Sequence, residues 1–84
     1  MDKPVELLRN LGPKSGFWLR EAGISTAQEL KVAGPVLAFR LVRQQQENVS
    51  LNLLWAMAAG LQGRDWRELT EEEKATLLAQ LRGE

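Results

Sequence analysis

The residues best suited by type and spacing to bind a ligand lie in one segment, Asn10-Leu11-Gly12-Pro13-Lys14-Ser15. Gly12 can adopt backbone conformations closed to other residues, and Pro13 fixes φ at a value that suits the start of a helix. The spacing therefore predicts a tight turn followed by a helix. Free N–H groups at a helix N-terminus favour an anion, as does the helix dipole. We predict an anion or partner contact at this turn, formed by Leu11, Gly12, Lys14, Ser15 and the nearby Arg20.

The composition removes most catalytic and metal-binding chemistry. The chain has no cysteine and no histidine, which excludes the usual zinc sites, thiol nucleophiles and triads with an imidazole base. The acidic run Glu71-Glu72-Glu73 consists of consecutive residues of a predicted helix. Such residues point in different directions and cannot chelate a metal together. We therefore predict a protein that is not an enzyme and carries no cofactor.

The charge distribution permits contact with nucleic acid without requiring it. Eleven Lys and Arg residues balance eleven Asp and Glu residues over the whole chain. Between Arg9 and Arg43, however, six basic residues stand against two acidic ones. This excess is modest, because dedicated nucleic-acid-binding domains are usually much more basic.

The element that must position the turn is the apolar stretch from Leu51 to Leu61. Leu51, Leu54 and Ala58 share one helical face, and most of the other residues are apolar too. A helix that is apolar all round is normally buried on more than one side. The stretch is shorter than the roughly 20 residues that a membrane span needs. We predict a buried central helix over 51–61 in a single domain of residues 1–84.

Caps and apolar spacing predict shorter helices around the central one. The predicted helices cover 4–10, 13–22, 27–33, 35–46 and 71–81. Gly23 is placed to end the second helix in the left-handed conformation. Two overlapping capping boxes, Thr26 with Glu29 and Ser25 with Gln28, precede the third. No segment alternates as a strand would, so the sequence predicts an all-α, compact bundle of five to six short helices.

The three tryptophans, Trp18, Trp55 and Trp66, fall on or beside apolar stripes. We predict that they belong to the core and do not serve as stacking platforms for bases. Trp66 and Leu69 have the spacing to close the core from below. Arg64 and Arg67 flank Trp66 and either face a partner or form local pairs with Asp65 or Glu68.

The turn and its flanking helices resemble the helix-hairpin-helix group of non-sequence-specific DNA-binding domains. The shared pattern is Leu-x-x-Leu-Gly-Pro-Lys-Ser, then Ala-Gly-Ile, then Thr-x-x-Glu-Leu. In that group an apolar–Gly hairpin exposes backbone N–H groups to a DNA phosphate. The group usually has glycine on both sides of the apolar residue, whereas this chain has Asn10 on the first side. Asparagine tolerates the left-handed region. A Leu-Gly-Pro turn is also a common connector, so a purely structural role stays open.

Over nearly its whole length the chain resembles the C-terminal domain of the TfoX/Sxy family, which regulates natural competence (DNA-uptake genes) in bacteria. The similar segments are 8–15, 18–24, 50–56 and 63–69, in the family's order. Full-length members carry a separate N-terminal α/β domain that these 84 residues do not include. The chain is thus either a stand-alone relative or a domain taken from a longer protein.

The resemblance implies a non-enzymatic regulatory module that acts in transcriptional control of competence genes through protein contacts. The implied partner is a transcription factor of the cyclic-AMP receptor type or another protein, with duplex DNA as a weaker contact. No membrane and no small-molecule substrate are expected. The lack of cysteine and of an apolar leader predicts the cytoplasm. The alternative function is sequence-independent binding of the DNA backbone by a helix-hairpin-helix-like domain.

Overall fold

The fold is built around α4, the helix that follows Ser50. The computed structural model describes residues 2–83, in which five α-helices and two short 3-10 helices are connected by tight turns. The helices are α1 (Pro13–Glu21), α2 (Ala27–Ala33), α3 (Pro35–Gln45), α4 (Leu51–Leu61) and α5 (Glu71–Arg82), with 3-10 helices at Val5–Leu7 and Trp66–Glu68. The predicted all-α bundle of five to six short helices is confirmed.

The buried position of α4 is also as predicted. Leu54 and Met57 are completely buried, and the core around α4 takes large apolar side chains from three other helices. These are Leu19 of α1, Leu30 of α2, and Phe39 and Val42 of α3. Leu51 was predicted to be buried with the rest of the helix, and this is wrong: the residue is 39% exposed. Its neighbours Ser50 and Asn52 are exposed as well, so the first turn of α4 lies at the rim of the core. Within residues 2–83, no helix combines the length and apolar character required to cross a bilayer.

The end of α1 and the start of α2 follow the predicted caps. Gly23 has φ +92°, and the Ile24 amide donates to the Leu19 carbonyl at 2.8 Å. This bond turns Ile24 back into the core, where it is 5% exposed. At the start of α2, the capping box of Thr26 with Glu29 forms. The alternative box does not, since the Ser25 amide also donates to Glu29.

The predicted first helix over 4–10 is wrong in length and type. Only Val5–Leu7 is helical, as a 3-10 turn, and Leu8 is already extended. Two backbone bonds hold the preceding residues in place: Val5 donates to Ser25, and Ala27 donates to Lys3. These two bonds hold residues 3–5 against the start of α2. Only the short 3-10 helix then lies between the bonded residues and the turn at Asn10.

Candidate functional site

The predicted contact turn lies at the surface, where Gly12 caps α1 and Pro13 is its first residue. Within residues 2–83, no side chain accepts a hydrogen bond at this cap. A Cβ added at Gly12 would meet nothing within 4 Å, so one side of the turn is open to solvent. Lys14 is exposed and Ser15 is half-buried. Sequence reasoning placed this turn and the start of its helix correctly.

Some backbone N–H groups of the turn already donate a hydrogen bond within the protein, and others do not. The Leu11 N–H already donates to the Leu8 carbonyl at 3.1 Å, and Pro13 has no N–H. In the part of the chain that the structure describes, the amides of Lys14 and Ser15 have no protein acceptor. The first amides of a helix lack partners within the helix and accept an anion readily. The predicted anion contact therefore depends on the first turn of α1, and Leu11 could contribute only its side chain.

Asn10 is the residue whose role sequence reasoning missed. It adopts the left-handed conformation, with φ 76°, as its tolerance of that region allows. Its side chain also joins distant parts of the fold. The side-chain NH₂ donates to the Arg64 carbonyl at 2.8 Å and to the Ala56 carbonyl at 3.4 Å, while its oxygen accepts the Trp66 amide at 3.2 Å. Asn10 thus fixes the turn against α4 and the second 3-10 helix.

Gly60 allows the same close approach from the opposite side. A Cβ placed on this glycine of α4 would lie 2.5 Å from the carbonyl oxygen of Arg9. Any larger residue would therefore push the backbone before the turn away from α4. Gly60 and Asn10 together hold the turn closely against α4, and the first amides of α1 face outward.

The arginines near the turn are paired with acids. Arg20 forms a two-pronged pair with Glu6, with N–O distances of 2.6 and 3.2 Å, and this pair lowers the pKa of Glu6 below its usual value. Arg9 donates to the Gly63 carbonyl and lies 3.8 Å from Asp65. The Lys14 ammonium instead lies 5.0 Å above the ring of Trp18. Ion pairing therefore leaves Lys14 as the main positive charge at the turn.

The arginines on either side of Trp66 are also engaged. Arg67 pairs with Asp65, as the local-pair hypothesis proposed. Arg64 reaches further: it binds both carboxylate oxygens of Glu73 on α5, at 2.7 and 3.0 Å, and the Glu68 carbonyl. The turn after α4 is thereby tied to the first turn of α5, whose capping box between Thr70 and Glu73 is formed.

These pairs predict a loss of stability in acid. Arg67 lowers the pKa of Asp65 to about 2, and Arg64 lowers the pKa of Glu73 to about 2. Because both folded-state values lie below the unfolded ones, the stabilisation is complete above about pH 5. It is lost as the pH falls towards 2. We expect the urea midpoint to fall over this range, and to fall less for Glu73→Gln. An equal fall for Glu73→Gln and the parent would contradict the assignment to Glu73.

Trp66 is not a core residue, contrary to the prediction. It is 38% exposed, while Leu69 is buried as expected. Trp55 is buried, and Trp18 packs against the core but remains half-buried. The reason is a contact with a distant residue: the Trp66 amide bonds to Asn10, and the Trp66 indole lines a groove of about 420 Å³ together with Trp18. Aromatic exposure at this place could not be read from apolar spacing.

The acidic side chains of the described residues do not cluster as metal ligands would. Among residues 2–83, no three of them come close enough together to hold a metal ion.

Comparison with known proteins agrees with this architecture. The sequence profile described as "TfoX C-terminal domain" matches residues 1–81. The fold matches a crystal structure of an uncharacterized protein from Listeria monocytogenes, in a triclinic form. The TM-score is 0.86 and the identity 30%, over 95% of this chain and 91% of that chain. A tetragonal form from the same organism, of a protein of unknown function, gives a TM-score of 0.79 and 31% identity, over 88% and 90%.

No curated protein matches the chain in sequence. The family match extends over the turn at residues 10–15, the central helix α4 and most of α5. The two solved structures match the fold over 95% and 88% of the chain. The chain therefore belongs to the TfoX C-terminal domain family.

Proposed function

We propose that the protein is a non-enzymatic regulatory module, acting in transcriptional control of competence genes through contacts with a protein partner. The observation that carries the proposal is its membership of the TfoX C-terminal domain family over residues 1–81. The partner we propose is a transcription factor of the cyclic-AMP receptor type, bound to promoter DNA in the cytoplasm. Direct contact with the duplex supplements the protein contact.

The distribution of charge supports this order of importance. Non-specific affinity for DNA comes from Lys and Arg groups that replace counterions on phosphates. Near the turn, Arg20 is paired with Glu6 and Arg9 lies near Asp65, which leaves Lys14 as the main charge for a phosphate. One such contact gives weak binding. A protein partner must then supply most of the affinity.

Phe17 is the side chain we expect at the protein interface. It lies on α1 one turn beyond Pro13 and is 59% exposed. Exposed aromatic side chains often dominate the binding energy of protein interfaces. Its position on the same helix as the turn would let a partner bound at Phe17 lie beside a DNA phosphate at Lys14.

Isothermal titration against the transcription factor, alone and on promoter duplex, tests the proposal. We expect Phe17→Ala to weaken binding about tenfold, which is the effect of a 1.4 kcal/mol contact. Glu21→Ala is the matched control, because it changes another exposed residue of α1. Absence of binding under both conditions, or equal loss for the two variants, would contradict the proposal.

The alternative function is sequence-independent binding to the DNA backbone. The free amides of Lys14 and Ser15 at an uncapped helix start favour it. Lys14→Ala should then weaken binding to all duplex sequences about equally and reduce the salt slope by about 1. Lys31→Ala, an exposed lysine on α2, should change nothing. Loss that depends on the sequence, or an equal effect of Lys31→Ala, would rule out this mode.

A further inference from the structure

The groove beside the contact turn has the character of a ligand site. Its volume of about 420 Å³ falls within the usual range for small-molecule sites. Three parts of the fold meet there: α1 supplies Trp18, the second 3-10 helix supplies Trp66, and the start of α4 supplies Leu53 and Ala56. Two indoles and an aliphatic floor provide the surface against which a flat ring packs.

The polar groups of the groove are amides and hydroxyls. Asn48 and Asn52 contribute carboxamides, and both residues are exposed. Ser15 and Ser50 contribute hydroxyls. A carboxamide both donates and accepts, as the edge of a nucleobase does. Among the described residues, the groove lining contains no carboxylate, whereas the many hydroxyl donors of a sugar would be matched by such acceptors.

Positive charge lies beside the groove. A second groove adjoins it and shares Trp18, Asn48 and Val49. Lys14 lines this second groove, with its ammonium 5.0 Å above the Trp18 ring. The free amides of Lys14 and Ser15 lie in the same turn of α1. Glu47 is the one carboxylate of the second groove, and it opposes an anion there.

We propose that the two grooves bind a nucleotide. The base packs against Trp66 and Trp18 with its edge near Asn52, and the phosphate lies at Lys14 and the first turn of α1. The ligand is bound and not converted, in keeping with the lack of catalytic groups. This inference goes beyond the proposed function, because it requires neither the protein partner nor a duplex; it shares with that function only the phosphate position at Lys14.

Tryptophan fluorescence gives a direct test. Trp18 and Trp66 line the groove, while Trp55 is buried and provides a constant background. We expect a nucleoside 5′-monophosphate to quench the emission with saturation at millimolar concentration or below. The parent nucleoside, which lacks the phosphate, should bind at least threefold more weakly. A short single-stranded oligonucleotide that binds more tightly than the monophosphate would identify nucleic acid as the source, and equal binding would identify the free nucleotide.

Four variants separate the parts of the site. Trp66→Ala should weaken binding about tenfold, as loss of a base-stacking partner does, and Asn52→Ala should weaken it severalfold while leaving the helix intact. Glu47→Gln should strengthen binding about twofold by removing a negative charge near the phosphate. Lys31→Ala is the control, since Lys31 is exposed on α2 and lies outside both grooves. The effect of Phe17→Ala on the transcription factor is measured separately, so the two proposals can fail independently.

Three results would overturn the assignment. The first is the absence of quenching by the monophosphate at 10 mM, because a dissociation constant above about 10 mM is too weak to define a specific site. The second is equal or stronger quenching by a disaccharide or a proline-rich peptide. The third is unchanged nucleotide affinity in both Trp66→Ala and Asn52→Ala, with circular dichroism showing that the variants are folded.

Discussion

Leu54→Ala should lower the free energy of unfolding by about 3–4 kcal/mol, measured by urea denaturation followed by circular dichroism. Leu54 is completely buried in α4, so the substitution removes apolar contacts and leaves a cavity. Small domains have only about 0.05–0.15 kcal/mol of stability per residue. The loss is therefore a large fraction of the total, and the variant should be only marginally folded at 25 °C.

Leu51→Ala provides the matched control on the same helix. Leu51 is 39% exposed in the first turn of α4, so its truncation should lower the stability by less than about 1 kcal/mol. Equal losses for the two variants would mean that α4 is not buried along the face described, and the packing of the whole bundle around it would be wrong.

Asn10→Ala should lower the free energy of unfolding by about 2–4 kcal/mol. The variant loses the bonds to the part-buried Arg64 and Ala56 carbonyls and to the exposed Trp66 amide. A fully buried group left without a partner costs about 1–3 kcal/mol, and these groups, which water partly reaches, should cost an amount near the lower end of that range. It also places a Cβ-bearing residue without a polar side chain at φ 76°, which costs about 1 kcal/mol.

Asn10→Gly separates the two causes. Glycine adopts a positive φ freely, so this variant should lose only the part due to the hydrogen bonds and remain more stable than Asn10→Ala by about 1 kcal/mol. Urea denaturation of both variants measures the difference. If Asn10→Gly were as stable as the parent, the side-chain bonds would contribute nothing, and Asn10 would serve only as a residue that tolerates the left-handed conformation.

The predictable parts of this fold are those fixed by neighbouring residues. The capping box of Thr26 with Glu29 places the start of α2, and the Gly23 cap returns Ile24 to the core. Ser50 caps α4 by accepting the Asn52 amide. Each signal lies within about five residues of the bond it makes, so the sequence alone places these helix ends to within one residue.

The parts that were missed depend on contacts between distant residues. The first helix is short because residues 3–5 bond to the backbone at the start of α2, and no local pattern reports that pairing. Trp66 is exposed because its amide is held by Asn10, 56 residues away. Arg64 bonds locally to Gln62 and to the Glu68 carbonyl, but its carboxylate partner is Glu73, nine residues away. At the predicted contact turn, sequence reasoning placed the turn and the start of α1 but missed the pairing of Arg20 with Glu6.

The proposed regulatory role is tested most directly by residue-resolved NMR. The amide signals are followed as the protein is titrated, at low salt, with promoter duplex, with the transcription factor and with the factor–duplex complex. We expect the amides of Gly12, Lys14, Ser15 and Phe17 to shift first and most with the complex. Shifts confined to α5, or no shifts with any of the three titrants, would contradict the assignment of the first turn of α1 as the contact surface.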